Sequence, residues 1–465
     1  MRDNDMASNS GQTRLSGIIY ILLLVIFLII GVMVYKLPPY LPVLIIISLS
    51  LFLVALLKPD LALIILILAM LLSPEFYLGA ITGRSVTFRF DDALIFVIFF
   101  GWLARIAINK ETGLLQPTSL NTPIILYFTV SVVASLLGAL EGNVKLQQSF
   151  FYLLKYVEYY ILFFMVTNNL RSVKQSKIFV FFLLLTCVAV CLYAWLNVQH
   201  LARVSAPFEG KTGEANTLGG YLLLMMSLAL GLFLYETAWK RQLLLLGVIS
   251  CIIPPFLFTL SRGAWIAFFP MCLTLVLLTR RKKGMLLLAL LSLFLLMPVL
   301  FPRQVQERIA QTFIKDVPGS QQYAVLGKKF TLDQSAVSRV ESWTYAFNKW
   351  VKRPFLGYGV PAGSVVDNQY ARVIREVGTI GFAIYLWLMF RIYRAGKQTF
   401  ILTKGDNFAQ GLSLGFIAGF VGLLFHAFSA ESFILIRIME PFWFMAAMVI
   451  ALPKLMAESP EGAHA

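Results

Sequence analysis

The chain has 465 residues, 59% of them hydrophobic and 13% charged, with a mean hydropathy of +0.80. Soluble domains carry roughly 25% charged residues, so this composition excludes a soluble globular protein, and apolar residues arranged in runs make it a polytopic membrane protein. The formal net charge of +16 would suggest nucleic acid in a soluble chain. Here it is assigned first to topology, because basic residues gather in short cytoplasmic loops, and no nucleic acid is expected as a partner.

The segment before the first apolar run lacks an A-x-A-like cleavage site at the right distance, so that run reads as an uncleaved first span. Spans are predicted at 17–35, 39–57, 60–78, 92–108, 121–139, 149–168 and 177–197. They continue at 216–235, 241–259, 263–279, 284–301, 378–394, 410–428 and 436–453, which makes fourteen, with twelve as the alternative because several are short. The expected fold is therefore all-α, a transmembrane helix bundle of 12–14 spans with one large loop containing short helices. Its divisions are N-terminal spans over 1–197, spans with a tight hairpin over 198–301, the large loop over 302–377 and C-terminal spans over 378–465. Cys187, Cys191, Cys251 and Cys272 all lie inside apolar runs and read as small hydrophobes.

The short loops carry Arg105 and Lys110, then Arg171, Lys174 and Lys177, then Lys240 and Arg241, then Arg280 to Lys283, then Arg391, Arg394 and Lys397, all on one side of this layout. By the charge rule that side is the cytoplasm, and both termini lie there too. The loop over 302–377 then lies outside, with 11 Lys or Arg against 6 Asp or Glu; loops above about 60 residues escape the charge rule. Ordinary solvation accounts for that excess, and so does an anionic substrate held on the outer face. Within the loop, Ser338 and Glu341 have capping-box spacing, and Val340, Trp343, Ala346, Phe347 and Trp350 repeat at helical intervals, which predicts a helix over 339–351 with Arg339 in its first turn.

Four stretches bring polar groups to the same outer end. In TLSRGAW, 259–265, Arg262 sits at the lip of a tight hairpin, where it reads either as a lipid-phosphate anchor or as a ligand, and Ser261 can cap the next helix. In RVSAPFEGKTGEANTLGGYL, 203–222, Arg203 and Lys211 read as solvated charges or as reaching the same cavity, with Asn216 opening the next helix. In DNQYARVIREVG, 367–378, Asn368 and Tyr370 precede Arg372, Arg375 and Glu376 on one helical face, while Asp367 reads either as a proton acceptor or as an N-cap. His426, the one histidine in a predicted span, stands with Glu431 at the outer end of the penultimate span, as a functional group or a packing histidine. Guanidinium forks suit phosphate oxygens. No carboxylate or histidine spacing in the sequence suggests Mg²⁺, so charge on a leaving diphosphate is expected to be met by arginine, with neither metal nor cofactor.

EANTLGGYL, TLSRGAW, SRVESWTYAFNKWVKRPFLGYGV and DNQYARVIREVGTIG, in this order, resemble the O-antigen ligase and polymerase superfamily of bacterial envelope proteins over roughly residues 200 to 430. The resemblance implies a GT-C-like membrane glycosyltransferase of the cytoplasmic membrane that is metal-independent and inverting. It implies an undecaprenyl-diphosphate-linked glycan donor, a glycan or lipid-linked acceptor, and a chain-length regulator or other export proteins as partners beside the lipid bilayer. By motif, the diphosphate role falls on Arg262 and Arg339, with Arg203 in support. Ligases of the superfamily have a His-Asn pair where this chain has Asp367-Asn368. That departure favours polymerisation of an exopolysaccharide, capsule or O-antigen repeat over ligase-type transfer to lipid A core or protein. A lipid-linked sugar transporter is the non-enzyme alternative.

Overall fold

The computed structural model describes residues 40–81, 84–108, 116–198, 203–209, 213–300, 302–310, 321–325, 328–332, 334–363 and 367–458. The predicted first span, Lys110 and Lys211 lie outside the described residues. The helices of the N-terminal half are α1 (Tyr40–Leu57), α2 (Pro59–Leu72), α3 (Phe90–Ile108), α4 (Asn121–Leu140), α5 (Leu146–Asn169) and α6 (Val173–Asn197). They are followed by α7 (Ala215–Tyr235), α8 (Trp239–Phe258), α9 (Arg262–Leu278), α10 (Lys283–Leu300) and the short α11 (Arg303–Ala310). The chain ends with α12 (Gln334–Lys352), α13 (Gln369–Leu402), α14 (Asn407–His426) and α15 (Ile436–Ala457). Among the described residues, eight helices are long and apolar enough to cross a membrane, with shorter apolar helices beside them. The chain is a multi-pass membrane protein.

Two antiparallel hairpins, β1 (Glu75–Ile81) with β2 (Arg84–Arg89) and β3 (Gln321–Val325) with β4 (Lys328–Leu332), accompany the helical architecture. The first of them shortens the span expected at 60–78, because α2 ends at Leu72 and Ser73-Pro74 leads straight into β1. Proline there disfavours helical geometry for the residue before it.

The centre of the bundle is made by α7, α14 and α15, which are the most enclosed spans. α7 is apolar on nearly every side, the pattern of a helix surrounded by protein. It meets α14 backbone to backbone. A methyl group added at Gly231 would stand 2.5 Å from the Gly411 carbonyl oxygen, one at Gly411 2.9 Å from Leu232 Cα, and one at Gly415 2.8 Å from Leu228 Cα. Small residues spaced four apart on facing helices permit this approach, which dispersion forces then stabilise.

The two ends of the bundle differ in chemistry. At one end Lys282 donates to the carbonyls of Phe233 and Glu236, Arg281 to Asn407, Arg391 to Ser119 and Lys454 to Gln116. These are the basic loops that the sequence groups on one side. At the other end lie the 203–209 segment, the α8–α9 turn, α12, the 353–363 segment and the α14–α15 connection, stitched by hydrogen bonds from Val204 N to Phe258 O (3.2 Å) and from Gln369 N to Ala427 O (2.9 Å).

α13 is broken where it meets that second end. Gly378 has φ 64° and ψ −167°, a conformation open essentially to glycine alone. The break frees the carbonyls of Arg375 and Glu376, which accept from Tyr358 N (3.1 Å) and Gly359 N (2.8 Å). It also frees two amides, and Thr379 N and Ile380 N donate to Pro354 O (2.7 Å) and Phe355 O (3.2 Å). The turn-rich RPFLGYGVPAG stretch is therefore held as a clasp around the break, and these four released groups are paired by it. On its other side Val360 N donates to Ser135 Oγ of α4 at 3.0 Å.

Candidate functional site

Four arginines from four parts of the chain share one electrostatic neighbourhood at the second end. Arg203 donates through Nε to the Thr259 carbonyl (3.0 Å) and through a terminal nitrogen to Asn216 Oδ1 (3.2 Å), which also accepts from Ser261 Oγ (2.8 Å). Its guanidinium is pushed below its ordinary pKa by desolvation and by the positive charges of Arg308, Arg262 and Arg339. Positive charges gathered in this way can hold an anion. Asn216 at the start of α7 ties the 203 segment to the α8–α9 turn, so three separated sequence stretches hold one geometry. Arg308, on α11, was not singled out from the sequence; the readable signal was its position on a short helix just after Pro302 in the basic loop.

Ser261 is the N-cap of α9, its hydroxyl accepting from Ala264 N at 3.4 Å. Leu260, at φ 50°, carries the sharp turn that brings Arg262 to the lip. The turn is wedged against its neighbours. A methyl at Gly263 would overlap the Ser429 hydroxyl, and one at Gly220 would stand 3.1 Å from the His426 ring. His426 itself is fully enclosed, with Nδ1 2.8 Å from Ser432 Oγ, and the charge of Arg339 acts on it. Its place is thus under the hairpin rather than on an accessible surface.

Arg339 lies in the second turn of its helix, not the first. α12 starts at Gln334, so Ser338 is inside it and Ser338–Glu341 form no capping box; the amphipathic pattern runs back through Val337, which is buried, and extends the helix by a turn.

On the far side of Arg339 is Asp367. The N-cap of α13 is Asn368, whose Oδ1 accepts from Ala371 N at 2.8 Å while its amide donates to the Phe428 carbonyl at 2.9 Å. Asp367 is left free of capping duty. Desolvation raises its carboxyl above the ordinary aspartate pKa, Arg339 opposes that shift and Glu431 adds to it. Tyr370 donates to Leu424 O at 2.7 Å and so serves as a strut between α13 and α14. Arg372 is buried and committed to two carboxylates, Glu376 (3.1 Å) and Glu431 (2.5 Å), with the Tyr152 ring beneath its guanidinium. Arg375, equally buried, points elsewhere, over Tyr345 of α12.

A second charged network, invisible in the sequence, lies where α3, α5 and α15 meet. The carboxylates of Asp91, Asp92 and Glu440 come within 4.8 Å of one another. Arg89 pairs with Asp91, and Lys155 reaches Asp92 (2.8 Å) and Glu158 (3.1 Å), while Arg437 pairs with Glu209 at 3.2 Å. A cation drawn to these oxygens would meet Arg89 and Lys155 already among them. The last of these pairs ties the 203–209 segment to α15.

No curated protein matches the chain. The family model described as Wzy_C, O-Antigen ligase, matches residues 256–427, which include Ser261, Arg262, Arg308, Arg339, Asp367 and His426. Over that stretch this membrane protein carries an O-antigen ligase/polymerase family domain, a family that implies glycan polymerase or ligase transferase activity.

Proposed function

We propose that the protein polymerises undecaprenyl-diphosphate-linked oligosaccharide repeat units, of exopolysaccharide, capsule or O-antigen, on the outer face of the cytoplasmic membrane. The convergence of Arg203, Arg262, Arg308 and Arg339 beside Asp367 carries this reading. The acceptor hydroxyl attacks the anomeric carbon of the donor, the C–O bond to the lipid diphosphate breaks, and configuration inverts. Asp367 accepts the hydroxyl proton. The diphosphate leaves with its growing negative charge met by the arginines. Stabilisation of this kind acts on charge that develops in a desolvated site, and one lost donor costs about 3 kcal/mol by analogy with oxyanion donors. His426, beneath the α8–α9 turn, is a positioning residue for Arg262. The basic loops at the other end of the bundle support a cytoplasmic location for that end.

Ligase-type transfer is the second reading, favoured by the family description itself. Reconstitution with a defined lipid-linked oligosaccharide separates the two. The polymerase forms a ladder without added acceptor; a ligase adds the glycan once, to an end acceptor only. Lipid scrambling between leaflets without turnover would instead make the protein a transporter. Arg262→Ala is expected to abolish turnover while leaving insertion and folding intact, whereas loss of folding would make Arg262 an anchor.

A further inference from the structure

Arg375 is 1% exposed, and none of its three guanidinium nitrogens has a hydrogen-bond partner among the described residues. Five N–H donors are thus withdrawn from water with no acceptor among the described residues, which a folded protein ordinarily avoids. Arg372, one turn earlier, shows the usual solution, since Glu376 and Glu431 hold it. Glu376 is already engaged there and makes no ion pair with Arg375. What covers Arg375 is a side chain: its Cζ lies 5.6 Å from the centre of the Tyr345 ring, and Tyr345 is 37% exposed. A methyl at Gly363 would stand 3.5 Å from Arg375 Nη1, so the clasp approaches closely without blocking it.

The surface leading to this guanidinium is both cationic and aromatic. Lys349 stands over the Tyr345 and Tyr358 rings at 5.8 and 5.4 Å, and Arg353, paired with Glu141, lies over Tyr358 at 5.0 Å. Exposed aromatic faces pack against the C–H faces of sugar rings, and an adjacent fork of donors suits a planar carboxylate. The geometry points to a subsite for a carboxylate-bearing sugar: Arg375 pairs with the carboxylate once the Tyr345 ring swings aside, and Lys349 draws the acidic glycan in. The subsite lies on the Tyr345 side of α13, apart from the Arg203–Arg262–Arg308–Arg339 cluster, and it rests on the reading of that cluster as the diphosphate site. It would make the enzyme selective for acidic repeat units.

The test uses the full chain purified in lipid nanodiscs with three probes: glucuronosyl-glucose and its neutral counterpart cellobiose by saturation-transfer NMR, and inorganic pyrophosphate by phosphorus NMR. The acidic disaccharide is expected to bind at least tenfold more tightly than the neutral one. Arg375→Gln should erase that preference and leave pyrophosphate binding within twofold. Arg262→Ala should do the reverse. Equal binding of the two sugars, or an unchanged preference in Arg375→Gln, overturns the subsite. Loss of pyrophosphate binding in Arg375→Gln overturns it as well, because the guanidinium then serves the diphosphate. If Arg375→Gln does not fold, Lys349→Gln decides: a threefold or greater loss of preference supports the subsite, and no change overturns it. Pyrophosphate binding that survives Arg262→Ala would sink the diphosphate assignment separately, whatever the sugars do.

Discussion

Asp367 and Arg372 sit five residues apart and yield opposite expectations. Asp367 serves as a base only when ionised, and desolvation holds its carboxyl above the ordinary aspartate range. The acid limb of the transfer rate should therefore lie at higher pH than for an ordinary aspartate. Arg339 lowers that pKa, so Arg339→Gln should move the limb further up, while Glu431→Gln, which removes a raising charge, should move it down. Rates measured from pH 4 to 8 with residual turnover check both directions. Asp367→Asn should slow transfer by about 10²–10⁴-fold, the usual worth of a general base, with donor binding nearly unchanged; an unchanged rate removes Asp367 from the mechanism. Arg372→Ala acts on stability instead. It strands Glu376 as a buried, unpaired carboxylate, for which a loss of about 3–5 kcal/mol is expected, visible as a lower melting temperature in detergent. The sequence places Asp367, Asn368, Arg372 and Arg375 together but does not divide their labour. Burial and partner geometry do: Asn368 takes the cap, Arg372 becomes structural, and Arg375 is left without an acceptor among the described residues.

Helices and their breaks follow from residues whose effect is local. Gly378→Ala puts a side chain where φ is 64°, against the Phe355 carbonyl. The backbone strain alone costs about 1–3 kcal/mol, and the clasp that satisfies Arg375 O and Glu376 O would be displaced with it. Protease sensitivity within 353–363 should rise in this variant. Gly415→Leu strikes a different element pair, the α7–α14 contact, where a methyl already meets Leu228 Cα at 2.8 Å. It should lower the yield of monodisperse protein, with Gly415→Ala intermediate. Helical periodicity made α12 and α13 legible in the sequence. The start of α12 at Gln334 was not, because a capping-box spacing inside an amphipathic run cannot be told from a real helix start without the backbone.

For the molecule as a whole, the segregation of basic loops at one end and the site at the other predicts sidedness. With Cys251 replaced, a cysteine at Trp343 should react with an impermeant maleimide on intact cells, and one at Lys240 only after permeabilisation. The opposite pattern would invert the topology and move the chemistry to the cytoplasm. Composition and apolar runs were enough to determine a multi-pass helical protein, because hydrophobic length is a property of short stretches. They also brought the hairpin arginine, α12 and the Asp367-Asn368 stretch to one end. The tertiary structure alone decided that Arg308 joins Arg203, Arg262 and Arg339, and that Asp91 and Asp92 meet Glu440. It also decided which of two neighbouring arginines meets carboxylates. Electrostatic partnership depends on distance and desolvation, and both are set by how far-separated helices pack rather than by anything a residue carries in its own neighbourhood of the chain.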